Sequence, residues 1–395
     1  MIGSFRLWRL QGFESHASLN DMKQFLLRFI RIYFVLNIFP FPLDRFPKGD
    51  DLHDGYLYLW MKLFSLFNDR FLHWTISMEH SGSGDRGYRY FMVFTFIPIA
   101  LLLAAVWKNA DRCSKWFDIY LQWFLASTLL EYGFSKLFIN QFPAPGITKL
   151  VEPYGQSSPM GLLWFFMGFS KAYSFFGGLA EVTAGVLLLI PRTMTLGALI
   201  SVGVMSNVFM LNMCYDVPVK LFSFQLLVYS LWVAAFDGKR LLNFFVLHGP
   251  VPERRRIGLK QWEWRAWSAL AALLVVSHVY TTYGYIAMWD DYIGHTPHRG
   301  IWRFDGPARE PKTDWELTII EIKGLIAFKS YDGRFIRFRI DPEKLKIEQP
   351  TDDTLTIDGE VEGKPIHKTA RKETIGEFPI LTRGFHWMQE ETFNR

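Results

Sequence analysis

The chain has 395 residues, of which 50% are hydrophobic and 17% aromatic, including 37 Phe, 16 Tyr and 15 Trp. That is more apolar surface than one globular core needs, while the mean hydropathy is only +0.09, so a greasy part must be diluted by a water-soluble one. The net charge of +5 is modest and no stretch interleaves basic and aromatic residues as an RNA-binding sheet does, which excludes nucleic acid as the partner. Two cysteines, Cys113 and Cys214, exclude a disulfide framework.

The first 24 residues lack an apolar core followed by a small-residue cleavage site, so no signal peptide is read there. About twenty apolar helical residues cross a bilayer. The first such stretch, about 25–43, carries Arg28 and Arg31 in its first turns, where long side chains snorkel to the interface. Gly55–Phe67 is short, charged and rich in Tyr and Trp, as an amphipathic helix lying in the interface would be. Six further stretches qualify as spans: about 89–107, 116–138, 161–190, 193–213, 219–236 and 266–289.

Lysine and arginine set the expected orientation. With the N-terminus in the cytoplasm, the inner segments hold Arg6, Arg9, Lys108, Arg112, Lys115, Arg192, Lys239, Arg240 and the run Arg254–Arg256. The outer loops hold fewer: Arg45, Lys48, Lys62, Arg70, Arg86 and Lys149. Seven spans place residues 290–395 outside, and Cys113 and Cys214 on opposite faces. Beyond Trp289 the period changes to alternation of apolar and polar residues, with hairpin signals at Asp332-Gly333 and Glu362-Gly363. The spacing predicts about six strands, starting near Gly300, in a small all-β sandwich or barrel. The expected organisation is residues 1–115, N-terminal spans with the interfacial helix; 116–240, a four-helix core; 241–289, a basic cytoplasmic loop and the last span; and 290–395, an extracytoplasmic β domain.

Ionisable side chains inside spans cost a few kcal/mol each on insertion scales and are candidate functional groups. In the third span Ser127, Glu131 and Ser135 form one row and Thr128, Tyr132 and Lys136 a second, together one broad polar face. The fourth span sets Ser174, Gly178, Glu181 and Gly185 on one face; the fifth carries Asn207 and Asn212, and Asp216 and Lys220 follow it. At 1.5 Å per residue Lys136 lies about one turn from the outer end and Glu131 roughly 10 Å in. The expectation is an outward-opening cluster of Glu131, Lys136, Glu181 and Asn207, with Asp216 and Lys220 at its rim and Lys136 as counter-ion. The bland alternative stands beside it. Serines, threonines and asparagines also glue helices together, and Gly177, Gly178 and Gly185 permit close packing. Lys171, in a helix longer than the bilayer, reads as a snorkelling lysine.

The stretch 131–225, with G-x-x-K-L at Gly133–Leu137 and E-x-x-x-G-x-L-L at Glu181–Leu188, resembles the DoxX-like four-helix membrane bundle. The ending Arg383 to Glu390, RGFHW-x-x-E, is similar to that of bacterial DoxX-like proteins with extra spans and a C-terminal domain. The resemblance implies a bacterial cytoplasmic-membrane protein associated with redox or envelope-stress partners. The family takes its name from a membrane subunit of a thiosulfate:quinone oxidoreductase, and related bundles occur in the vitamin K-dependent carboxylase, where a quinol meets a membrane-embedded lysine. With the polar cluster, it suggests a quinone as the ligand, Lys136 and Glu131 handling the proton and Glu181 the buried charge, with Tyr132, Asn207, Asn212, Asp216 and Lys220 around it. The small DoxX proteins lack the three extra spans and the β domain expected here.

Cofactor motifs are otherwise absent: no Walker loop, GxGxxG on a strand-turn-helix, HExxH or CxxC occurs. With His278 the one histidine in a span, a haem held by two histidines is not expected. His295, His298 and His386 read as loop polarity rather than a metal site, Cys113 beside Arg112 and Lys115 as incidental, and Phe385, His386 and Trp387 as β-domain core or bilayer contact. Two functions therefore compete: a quinone-associated redox membrane component, and a non-catalytic envelope scaffold or lipid- or small-molecule-binding protein whose β domain binds an outer partner. Proton-coupled transport lacks the inverted repeat it would need.

Overall fold

A computed structural model describes residues 4–45, 48–76, 83–107, 112–138, 141–253, 260–294, 296–306, 314–373 and 378. The Arg254–Arg256 run, Lys108, His295 and the RGFHW ending lie outside them. In chain order the helices are α1 (Ser4–Ile38), α2 (Gly49–Phe67), α3 (Gly87–Val106), α4 (Ser114–Leu137), α5 (Ile147–Val151), α6 (Pro159–Phe169), α7 (Lys171–Leu189), α8 (Met194–Cys214), α9 (Lys220–Ala235), α10 (Gly238–Leu242) and α11 (Gln261–Gly294). The strands are β1 (Gly300–Phe304), β2 (Trp315–Ile320), β3 (Leu325–Ser330), β4 (Phe335–Arg339), β5 (Leu345–Thr351), β6 (Thr354–Val361) and β7 (Lys364–Glu373). The chain divides into two compact units, Met1–Leu137 with Phe175–Val279, and Phe138–Ser174 with Tyr280–Arg395.

The first unit is a helix bundle built around α4, half of whose 24 residues are buried. Leu125, Ala126, Leu129 and Leu130 of α4 pack with Ala184 and Leu188 of α7, Ala198 and Met205 of α8, Leu226, Tyr229 and Val233 of α9, and Phe34 and Ile38 of α1. Among the described residues, five segments are long and apolar enough to cross a membrane: Leu19–Arg45, Gly87–Val106, Lys171–Leu189, Met194–Cys214 and Gln261–Met288. Helix α9 with its continuation to Leu247, bent by 79° between them, adds a sixth only if the bent pair counts as one span. Such a set suits a multi-pass membrane protein. The helix α4 is not among them.

One expected span is corrected. Residues 161–190 are not one helix, because Ser170 leaves the helical region at φ −101°, ψ 93°. Its hydroxyl accepts from Tyr173 N at 3.3 Å, so it acts as the cap of a new helix. Ser174 Oγ donates to Met167 O across the break at 2.6 Å. Gly168 lets Pro143 O come within 2.2 Å of where a Cβ would sit. Lys171 is therefore the first residue of α7 rather than the middle of an overlong helix.

In the second unit the seven strands form one antiparallel sheet in the order β4-β3-β2-β1-β7-β6-β5. The all-β domain, expected as a sandwich or small barrel of about six strands, is one antiparallel sheet of seven described strands. Phe338 of β4 and Leu345 and Ile347 of β5 belong to one apolar cluster with Trp302 and Phe328, so the two edges curl round a shared core as a half-barrel. Asp332-Gly333 turns β3 into β4 and Glu362-Gly363 turns β6 into β7, as their turn chemistry predicts. The opposite face, Ile301, Leu317, Ile319 and Ala327, is covered by Ile147 and Val151 of α5. Glu321 fixes that contact, accepting from the first backbone amides of α5, Ile147 N at 2.7 Å and Thr148 N at 3.1 Å. Arg337 to Glu152 at 3.2 Å and a hydrogen bond from Gln156 Nε2 to Gly333 O add to the clamp.

Candidate functional site

Where α4 crosses α7, glycines bring the backbones together. A Cβ on Gly133 would lie 2.7 Å from Val182, one on Gly178 2.7 Å from Gly133 O, and one on Gly185 2.9 Å from Leu130. Gly177 has open space around it and takes no part in this packing. The two halves of the sequence motif, Gly133–Leu137 and Glu181–Leu188, thus interlock. Above the crossing, Lys136 Nζ meets Glu181 Oε1 at 2.5 Å, with the two side chains only 9% and 4% exposed. The second carboxylate oxygen, Glu181 Oε2, is buried and accepts no hydrogen bond. A buried carboxylate oxygen without a donor costs free energy, about 1–3 kcal/mol or more, so a ligand hydroxyl or amide there would be held firmly.

The other expected members disperse. Glu131 does not share Lys136: it pairs with Arg45 at 2.8 Å, its side chain 47% exposed rather than deep in the bundle. Arg45 follows α1 in sequence and also approaches Asp44 at 3.5 Å. Tyr132 is partly exposed and its ring packs by Phe222, with centroids 6.4 Å apart. Asn207 is exposed on α8, so it is not part of the buried pair, while Asn212 is buried and its carbonyl accepts from Val217 N at 3.0 Å. Asp216 pairs with Lys220 at 2.7 Å. Asp85 approaches Lys220 at 3.7 Å and accepts from the first amides of α9, Lys220 N at 2.8 Å and Leu221 N at 3.0 Å. These two are a helix start held by an acid, favoured by the helix dipole, and not the rim of the Glu181 site.

Three partners escaped the sequence. Arg31, expected to snorkel, makes a two-pronged contact with Asp118 of α4 at 2.9 and 3.1 Å. Arg45 and Asp85 sat in loops and carried no signal beyond their charge. His278 meets Ser127 at 3.1 Å, a helix-to-helix hydrogen bond. His298 bonds Gln349 at 2.7 Å, and among the described residues no group of three or more His, Cys, Asp or Glu could hold a metal. Both cysteines are free thiols.

No known family model matches the chain, and no solved structure matches it. A stretch of 122 residues is 35% identical to the uncharacterized protein YwoB of Bacillus subtilis (strain 168), covering 31% of this chain and 77% of that protein. The chain belongs to the same family as YwoB.

Proposed function

We propose that the chain is a DoxX-like, seven-span protein of the bacterial cytoplasmic membrane that holds a quinone-class molecule at the Lys136–Glu181 pair and works with a membrane or extracytoplasmic redox partner. The observation that carries the reading is the buried ion pair with one carboxylate oxygen left open. An apolar bundle with a few convergent polar groups suits a flat, lipophilic ring.

The residues present fit such a group. Lys136 has donors to spare for a ring carbonyl, and Glu181 Oε2 accepts from a ring hydroxyl. A quinone bound there would supply reversible two-electron redox chemistry, its electrons coming from the partner. The chain itself would bind and orient the ring, with Lys136 and Glu181 as its polar contacts in an otherwise apolar bundle.

The topology has support that does not depend on charge counting. The 147–156 segment is clamped on the β sheet, so both share one side of the membrane and an even number of crossings separates them. The helices α7, α8, α9 and α11 supply four. If α1, α3 and α4, which precede the segment, each cross as well, the count is seven and the N-terminus lies on the side opposite the sheet.

The test is to isolate the full chain with its native lipids, extract it and quantify quinones. Wild type should retain quinone near one per chain, and monodisperse Lys136→Ala and Glu181→Gln should retain little. Wild type devoid of quinone, or folded variants that keep it undiminished, would refute the reading and favour the scaffold function.

A further inference from the structure

The segment after α9 does not continue into water as an ordinary loop. Phe236 and Asp237 end α9, and α10 with the wide turn Asn243–Leu247 leaves at 79° to it. At the tip Phe244, Phe245, Val246 and Leu247 stand in a row, each more than 60% exposed, with Leu242 at 48% beside them. Four consecutive exposed apolar residues on a short helix are not a solvated surface. The base of the hook is polar. Asp237 is buried and accepts from Thr195 and from Arg240, the latter at 3.3 Å, which fixes the angle; Asn243 Nδ2 donates to Pro250 O at 2.8 Å and closes the turn. Lys239 is exposed there, and the sequence just beyond adds Arg254–Arg256.

We propose that Gly238–Leu247 is an in-plane membrane hook. Phe244–Leu247 seat in the acyl chains of the leaflet at the C-terminal end of α9, while Lys239 at its base binds the phosphate of an anionic phospholipid. If α9 crosses the bilayer, a segment nearly perpendicular to it runs along the interface, where apolar side chains reach about 5–10 Å into the leaflet. The flanking cations match phosphodiester headgroups, each basic side chain near the surface being worth about fivefold in affinity. The inference rests on the multi-pass reading above but not on the quinone.

The experiment places spin labels one at a time at Phe245→Cys, Lys239→Cys and, as a bundle control, Leu231→Cys, in the full-length Cys113→Ser, Cys214→Ser chain. The protein is reconstituted in nanodiscs of phosphatidylcholine with or without phosphatidylglycerol, and collisions with oxygen and with a water-soluble nickel complex are measured. Positions 245 and 231 should favour oxygen and position 239 nickel. In unlabelled protein, Lys239→Gln should lower retention of phosphatidylglycerol through delipidation about fivefold. Nickel access at 245 with oxygen access at 231 would overturn the hook while leaving the bundle in the membrane. Shielding of 245 from both reagents would overturn it in favour of a protein contact such as a second copy. Nickel access at both 245 and 231 would overturn the multi-pass reading itself. Undiminished phosphatidylglycerol retention in Lys239→Gln would overturn the headgroup site.

Discussion

Lys136 and Glu181 invite a double-mutant cycle, because a buried pair behaves unlike its two members. Unit charges about 4 Å apart at an effective dielectric of about 20 attract by about 4 kcal/mol, and the Lys136–Glu181 contact, at 2.5 Å, is no looser than that. Removing either charge forfeits that attraction and strands the other ion, buried in the bundle, at a cost of about 3–5 kcal/mol. Removing both leaves apolar groups in an apolar place. Lys136→Met and Glu181→Leu should therefore each destabilise the chain by about 3–5 kcal/mol, and the double variant should recover to within about 1–2 kcal/mol of wild type. Denaturant titration in mixed micelles, read by loss of helical circular dichroism, measures all four corners. Single penalties that simply add in the double variant would refute the argument, since they would show that the two side chains do not feel each other.

Glycine substitutions separate packing from propensity. Gly178→Ala should cost about 1–3 kcal/mol because its methyl meets Gly133 O. Gly177→Ala, one residue away with open space around it, should be neutral or stabilising by up to about 1 kcal/mol in the same titration. In the β domain, Glu321→Ala removes two charge-assisted hydrogen bonds from the start of α5. It should weaken the clamp by about 1.5–3 kcal/mol, seen as faster amide exchange over residues 147–156 with β6 and β7 unaffected. Asp332 is held below the usual carboxylate range first by the Ser330 hydroxyl and then by the Arg334 amide. Its folded value lies below its unfolded one, so its contribution is complete above the unfolded value of about 4 and fades as pH falls through the folded one. Amide exchange in the β3–β4 hairpin should quicken over that acidic window, and Asp332→Asn should flatten the dependence.

Apolar runs and turn signals carried most of the architecture. Both hairpins and the start of the sheet at Gly300 were legible because an Asp-Gly or Glu-Gly pair between alternating segments admits few alternatives. The break at Ser170 was not, because the residues around it are as apolar as a span requires and a serine cap matters only once Tyr173 N is in reach. The seventh strand and the half-barrel were hidden for a related reason: β1 and β7 pair across the whole domain, and a pairing of that sequence separation leaves no local mark. Within the site, i, i+4 spacing found the residues but not their partners. Glu131 and Lys136 share one helix face, yet each is answered from a different element, by Arg45 and by Glu181.

The same logic explains why α4, which by composition does not pass as a span, sits at the bundle centre. Beyond Lys115 in its first turn it carries Asp118, Glu131 and Lys136, and each of these meets an opposite charge from elsewhere: Arg31 of α1, Arg45 after α1, and Glu181 of α7. Alone in lipid, α4 would expose three uncompensated charges, each costing several kcal/mol. Beside α1 and α7 those charges become pairs, and its apolar residues meet small ones on α7. Two of the three pairs involve groups within or just after α1, which is made before α4. Loss of Arg31 and Arg45 should therefore impair insertion of α4 itself, not merely the stability of the finished bundle. A reporter fused after Leu137 would read this directly, with Arg31→Leu, Arg45→Leu lowering the fraction of chains in which α4 crosses. An unchanged fraction would mean that α4 enters unaided and acquires its partners only afterwards.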